Sequence, residues 1–115
     1  MGRQAKPKPV ADYNALRYSR RMIRDFADRE PEQIWSGRKS RKLPADMQAV
    51  SLRKLRLLNQ ARELSDLRIP PGNRLEALKG DRSGQFSIRI NDQWRICFIW
   101  TEGGPAHVEI VDYHG

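Results

Sequence analysis

The chain has 115 residues, of which 38% are hydrophobic and 31% charged, and it carries a formal net charge of +8. That length supports one domain with a single core. Cys97 alone excludes an internal disulfide and a cysteine-cluster metal site, and two histidines, His107 and His114, are too few for a His-rich one.

No apolar run approaches the roughly 20 residues of a membrane span, and no segment has the charged-then-apolar form of a secretory signal. The expectation is a cytoplasmic protein with reduced thiols and no membrane partner. The basic balance points to a polyanion partner, such as nucleic acid or the ribosome.

Residues 1–21 hold Arg3, Lys6, Lys8, Arg17, Arg20 and Arg21 against Asp12 alone, so they carry +5 of the +8. Pro7 and Pro9 resist both helix and strand, and residues 12–21 have the composition of a short helix. This basic N-terminal extension, disordered or helical, reads either as a nucleic-acid-binding arm or as a plain extension. The plain extension is favoured, with a domain over residues 22–115 that opens at Met22.

Residues 22–26 read as a short edge strand. Residues 30–35 read as a brief helix, with Pro31 in its first turn and Gly37 as its stop. Residues 38–42 place Arg38, Lys39, Arg41 and Lys42 within five positions. That is either a solvated loop or a phosphate contact. Pro44 opens the main helix, which is expected to run to about Ala61. Met47, Val50, Leu55 and Leu58 face the core at helical spacing, and Leu52 and Leu57 widen the stripe. Arg53, Lys54 and Arg56 are expected on the opposite side. Residues 63–67 form another helical turn, and Pro70 to Asn73 break the chain.

Strands are then expected at 74–78, 85–90, 94–100 and 106–113, with turns at 80–84, 91–93 and 102–105. Helices followed by antiparallel strands give an α+β domain: a small antiparallel or mixed β-sheet packed against N-terminal helices. With 91–93 as the hairpin loop, Ile90 meets Trp94, Ile88 meets Ile96 and Phe86 meets Phe98, all on one apolar face. A slip of one residue would set Ile88 against Arg95, so this register is favoured. Trp100, Val108 and Ile110 extend the apolar face. Ser87, Arg89, Arg95, Cys97, Glu109, Val111 and Tyr113 then share the other face, for which no helix remains as a cover. Arg95 and Tyr113 therefore point the same way, which suits a phosphate and a base or an ordinary cation–aromatic contact on an exposed sheet.

There is no nucleotide-binding glycine loop and no metal-ligand spacing, so neither a cofactor nor a metal is expected. The chemistry on offer is Lys79, Arg95, Tyr113, His114 and Glu76. These groups suffice for metal-free RNA cleavage. RNA supplies its own 2′-hydroxyl nucleophile, so the protein needs only positioned charge and proton-transfer groups.

Three segments carry a family resemblance: Pro70-Pro-Gly-Asn-Arg-Leu-Glu-Ala-Leu-Lys-Gly-Asp81, Ser87-Ile-Arg-Ile-Asn-Asp-Gln-Trp-Arg-Ile96 and Val108-Glu-Ile-Val-Asp-Tyr-His114. They resemble the HigB/GraT branch of the RelE/ParE toxin superfamily, over residues 22–114. The resemblance implies a RelE-like microbial RNase toxin fold and a ribosome-dependent mRNA endonuclease acting at the 70S A site. It also implies a helix-turn-helix, HigA-like antitoxin, with operator DNA reached only through that antitoxin.

Carried over by motif, the catalytic lysine falls on Lys79, the arginine on Arg95, and the C-terminal tyrosine and histidine on Tyr113 and His114. Glu76 stands where some relatives have a histidine, so the identity of the base stays open. Lys79 and Arg95 would hold the phosphate, Tyr113 or His114 would serve as acid or base, and Glu76 would be the base or orient Lys79. Arg38, Lys39, Arg41, Lys42 and Arg89 are candidate contacts to RNA or the ribosome. A ParE-like DNA gyrase inhibitor and a non-catalytic basic RNA- or ribosome-binding module are the alternatives.

Overall fold

The computed structural model describes residues 22–113; the basic extension at 1–21 and His114 lie outside the described residues. The expected first strand is reduced to a single parallel bridge between Phe26 and Val108. Its backbone is nonetheless tied to β4. Arg24 N donates to Pro105 O and Ala27 N to Val108 O, each at 2.8 Å, and Val108 N donates to Asp25 O at 3.1 Å.

Helix α1 (Arg29–Trp35) starts because Asp28 caps it, its carboxylate accepting from Glu30 N at 3.3 Å. Pro31 and Ile34 are its buried residues. Helix α2 (Gln48–Gln60) is preceded by a tight turn at Ala45–Met47 rather than beginning directly at Pro44. Met47, Leu55 and Leu58 are buried as the spacing predicts, with Val50 and Leu52 packed partly against the same core. Lys54 departs from expectation: it is not on the solvent side but buried, and its ammonium hydrogen-bonds the side-chain carbonyl of Asn73.

The short helical turn at Leu64–Arg68 is fixed by a reciprocal capping box between Glu63 and Asp66. Below it the chain forms a four-stranded antiparallel sheet in the order β1-β2-β3-β4. The strands are β1 (Glu76–Ala77), β2 (Phe86–Arg89), β3 (Trp94–Thr101) and β4 (Gly104–Asp112). The hairpin register is as expected, with Phe86 opposite Phe98, Ile88 opposite Ile96 and Arg89 opposite Arg95. Ile90 N donates to Trp94 O at 2.9 Å to close it. The apolar face meets α2 through Ile88, Ile96, Phe98 and Val108, all fully buried. This is the α+β arrangement of a sheet on N-terminal helices, and the Phe26 bridge adds a parallel pairing among the described residues.

Two local departures have clear causes. β1 is shorter than the predicted 74–78 because Arg74 is left-handed (φ 46°) and the chain turns again at Gly80 (φ 65°). β4 begins two residues early, at Gly104, and carries a bulge opposite the stretch between Cys97 and Ile99, with His107 left-handed (φ 55°). The bulge turns Val108 into the core, and Asp25 satisfies the freed amide of His107 at 2.6 Å. Among the described residues no helix is long and apolar enough to cross a membrane.

Candidate active site

The polar sheet face is not open. Ser87 and Cys97 are fully buried and Arg95 is only 9% exposed; Arg82, in the turn after β1, reaches Glu109 on β4, and the Tyr113 ring stands against Arg95. The short β1 sets Glu76 opposite Ser87, which turns the Glu76 carboxylate toward Arg95. At the far end of the sheet, Tyr113 N donates to Gln93 O at 2.7 Å, and Gln93 Nε2 donates to Asp112 Oδ2 at 3.0 Å. The end of β4 is thereby pinned to the β2–β3 loop.

Arg95 is held from several sides. Its Nε donates to Ser87 Oγ at 2.7 Å. Its Nη2 donates to Arg74 O at 2.5 Å and Ser87 O at 3.3 Å, and stands 3.4 Å from Glu76 Oε1. The guanidinium carbon lies 5.6 Å from the ring centroid of Tyr113, within the range of a cation–π contact. Among the described residues no acceptor reaches Nη1. Arg95 also lines a depression of about 360 Å³, together with Arg74, Glu76, Arg89, Asp92 and Tyr113.

Burial pushes the Tyr113 phenol above its usual value; nearby Cys97 adds to this, while a hydrogen bond with Ser87 and the charge of Arg95 oppose it. Near neutral pH Tyr113 is thus a hydrogen-bond donor, not a phenolate. Burial likewise raises the Cys97 thiol, against the pull of Arg82, so Cys97 is an inert part of the buried layer beneath Tyr113. Arg82 closes that side through Glu109 and Gln85, each at 3.0 Å.

The structure brings Glu76, Arg95 and Tyr113 together and sets Arg89 at the rim, where it pairs with Asp92 at 2.5 Å. Lys79 is not in the wall of the depression. It is exposed, directly before the tight turn at Gly80–Arg82, and its ammonium has no hydrogen-bond or ion-pair partner among the described residues. His114 lies outside the described residues.

The basic loop occupies a different surface. Arg29, Glu30, Gln33, Lys39, Arg41 and Lys42 line a second depression of about 420 Å³. Its loop is rigidly built. Gln48 Nε2 donates to Ser40 O and Leu43 O, both at 2.8 Å, and Gln48 Oε1 accepts from Ser40 N at 3.0 Å. Buried Ser40 ties up Glu30, the one carboxylate of the set, at 2.5 Å.

Sequence reasoning missed the Arg74 carbonyl, the Ser87 hydroxyl, Asp92 and the Arg82–Glu109 pair. One signal for the acids was legible. The hairpin register sets Arg89 directly against Arg95, and facing like charges need carboxylates nearby. The Arg74 carbonyl had no signal, because it depends on a left-handed turn that no residue type demands.

Comparison with known proteins agrees with this architecture. Residues 24–114 match the family described as the RelE-like toxin of the type II toxin–antitoxin system HigB. The chain is 43% identical to Toxin HigB-1 of Vibrio cholerae serotype O1 over 83 residues, covering 71% of this chain and 87% of that protein. It is 36% identical to an uncharacterized protein of Haemophilus influenzae over 73 residues, covering 64% of this chain and 71% of that protein. It is 42% identical to Endoribonuclease HigB of Proteus vulgaris over 41 residues, covering 36% of this chain and 45% of that protein. With the family matched from Arg24 through the end of the sheet, the chain belongs to the HigB family of RelE-like toxins of type II toxin–antitoxin systems.

Proposed function

We propose that this chain is an endoribonuclease that inhibits translation by cutting mRNA on the ribosome, without a metal. The observation that carries the reading is Arg95: a clamped guanidinium in an open depression, with Nη1 unpartnered among the described residues, between the Glu76 carboxylate and the Tyr113 ring. The Proteus vulgaris relative, named an endoribonuclease, supports the reaction class.

In this reading the scissile phosphate takes the free edge of Arg95. The 2′-hydroxyl attacks that phosphorus and the bond to the 5′-oxygen breaks, leaving a 2′,3′-cyclic phosphate and a 5′-hydroxyl. Arg95, with Lys79 reaching in from its exposed turn, balances the charge that develops on the phosphorane. Glu76, beside Arg95, is the proposed acceptor of the 2′-proton. Neutral Tyr113 donates to a phosphate or 5′-oxygen, and His114 is the remaining candidate acid. Arg89 and the rigid basic loop with Arg38, Lys39, Arg41 and Lys42 are proposed contacts to the RNA and ribosome.

A type II toxin–antitoxin family implies an antitoxin partner. We take it to be a HigA-like helix-turn-helix protein, through which alone operator DNA is reached, and we take the site of action to be the cytoplasm. Residues 1–21 are proposed as an extension to the domain at 22–115.

The test maps 5′ ends on an mRNA translated in vitro with the protein, with and without ribosomes, and repeats the mapping with Lys79→Ala. New ends that need ribosomes and Lys79 support the reading. Unchanged cleavage by Lys79→Ala removes Lys79 from the site, and no cleavage at all, with blocked DNA supercoiling, favours a gyrase inhibitor. Lys79→Ala is preferred to Arg95→Ala. Truncating Arg95 strips buried hydrogen bonds to a charged group worth about 1.5–3 kcal/mol each, which confuses lost chemistry with lost folding.

A further inference from the structure

We propose that Lys54 and Asn73 are positioning residues for the site: their buried hydrogen bond holds the left-handed turn at Arg74, whose carbonyl fixes the guanidinium of Arg95 beside Tyr113. The kinetic consequence rests on the RNA-cleavage reading above; the structural consequence does not.

Lys54 lies on the face of α2 turned to the core and is 7% exposed. A lysine is almost never buried without a partner, and here the partner is a neutral amide, Asn73 Oδ1. The arrangement is costly. Burial, then the charges of Arg53 and Arg89, push the Lys54 ammonium below its usual range. A leucine or methionine would fill the same stripe without that cost, so the ammonium marks a demand from Asn73.

Asn73 is fully buried. Its Nδ2 donates to Leu67 O at 3.1 Å and Ile69 O at 3.3 Å. The segment from Leu67 to Asn73 is therefore wound around one amide whose other end is tied to α2. Asn73 ends the tight turn Pro71–Asn73, and Arg74 follows at φ 46° and ψ 56°. A residue with a Cβ holds that conformation only where its surroundings enforce it. The Arg74 carbonyl, so turned, accepts from Arg95 Nη2 at 2.5 Å.

Four residues thus link the helix to the site: Lys54, Asn73, Arg74 and Arg95. Were Arg74 to relax, its peptide would rotate, Nη2 would lose this acceptor, and Glu76 would draw the guanidinium outward. Arg89, which walls the same depression, adds to the lowering of Lys54.

The test compares full-length wild type with Lys54→Met. Two quantities are read: hydrogen exchange of the Arg95 Nε–H by NMR, assigned with Arg95→Lys, and steady-state cleavage on programmed ribosomes. The expected result is a folded variant whose Arg95 Nε–H exchanges at least about tenfold faster. Its kcat falls about tenfold while KM stays within about twofold, as when a positioned group is displaced rather than a binding contact removed.

Wild-type exchange and wild-type kcat in a folded Lys54→Met overturn the proposal. Should wild type cleave nothing, the functional reading fails while the exchange measurement still decides the positioning role. If Lys54→Met does not fold, Asn73→Asp, which keeps an acceptor for Lys54, is set against Asn73→Ser, which is too short to reach it. Protected Arg95 in the Asp variant and unprotected Arg95 in the Ser variant support the proposal. Equal behaviour of the two overturns it, and unfolding of all three variants assigns the pair to the core alone and overturns it too.

Discussion

Arg95 illustrates how much of a catalytic side chain's surroundings are structural. Ser87 and Arg74 fix its angle, Glu76 offsets its charge, and the Tyr113 ring closes one side. Tyr113 in turn is disposed toward its neutral form. Its folded-state pKa is raised above the unfolded value, so its contribution to stability is complete below about pH 10 and is lost as pH rises through the folded value. Wild type should therefore lose more of its urea midpoint than Tyr113→Phe when pH is raised from about 9 to 11. The thiol of Cys97 is also raised by burial and the ammonium of Lys54 lowered by it. Lys54 is common to both proteins, and because Cys97 interacts with Tyr113, both proteins carry Cys97→Ala in this comparison. Parallel pH profiles for the two proteins would remove Tyr113 from the buried polar layer.

The hairpin β3–β4 and the segment at 22–27 are interlocked. The two-residue turn at Glu102 and Gly103 brings Gly104 against the backbone of Met22. A Cβ on Gly104 would fall 2.1 Å from the Met22 carbonyl oxygen, at a φ of 128° that L-residues rarely adopt. Gly104→Ala should lower stability by about 2–4 kcal/mol, since it combines overpacking with backbone strain. Chemical denaturation reads this directly, and a loss under about 0.5 kcal/mol, the level of an ordinary surface change, would show that residues 22–27 do not hold that hairpin. The helices are simpler. α1 follows from Asp28 and Pro31, and α2 from the Met47, Leu55 and Leu58 stripe.

Over the whole chain, basic residues cluster in the extension at 1–21, the rigid basic loop and the arginine-lined site, with others such as Arg53 and Arg56 on α2. The net charge of +8 falls to +3 for residues 22–115. Phosphate contacts set the salt dependence of nucleic-acid binding. Removing residues 1–21 should flatten the slope of log K against log salt for a short RNA only if those residues touch it. Lys39, Arg41 and Lys42 changed together to Gln should flatten it by about 2 to 3 units, at roughly one per phosphate contact. A slope unchanged by the triple variant would leave that loop without an RNA role.

What the sequence by itself determined were the features that depend on local pattern. Period-two alternation set the strands and the register of Phe86, Ile88 and Ile90 on Phe98, Ile96 and Trp94. Helical spacing set the core face of α2, and the motifs around Lys79, Arg95 and Tyr113 pointed to the family. Only the tertiary structure decided that the polar sheet face is covered, that Lys54 is buried, and that Arg95 leans on the carbonyl of Arg74. The physical reason is the same in each case. A backbone carbonyl has no residue type, a left-handed turn at an arginine has no sequence signal, and a lysine reads as solvent-facing until a distant amide is brought to meet it.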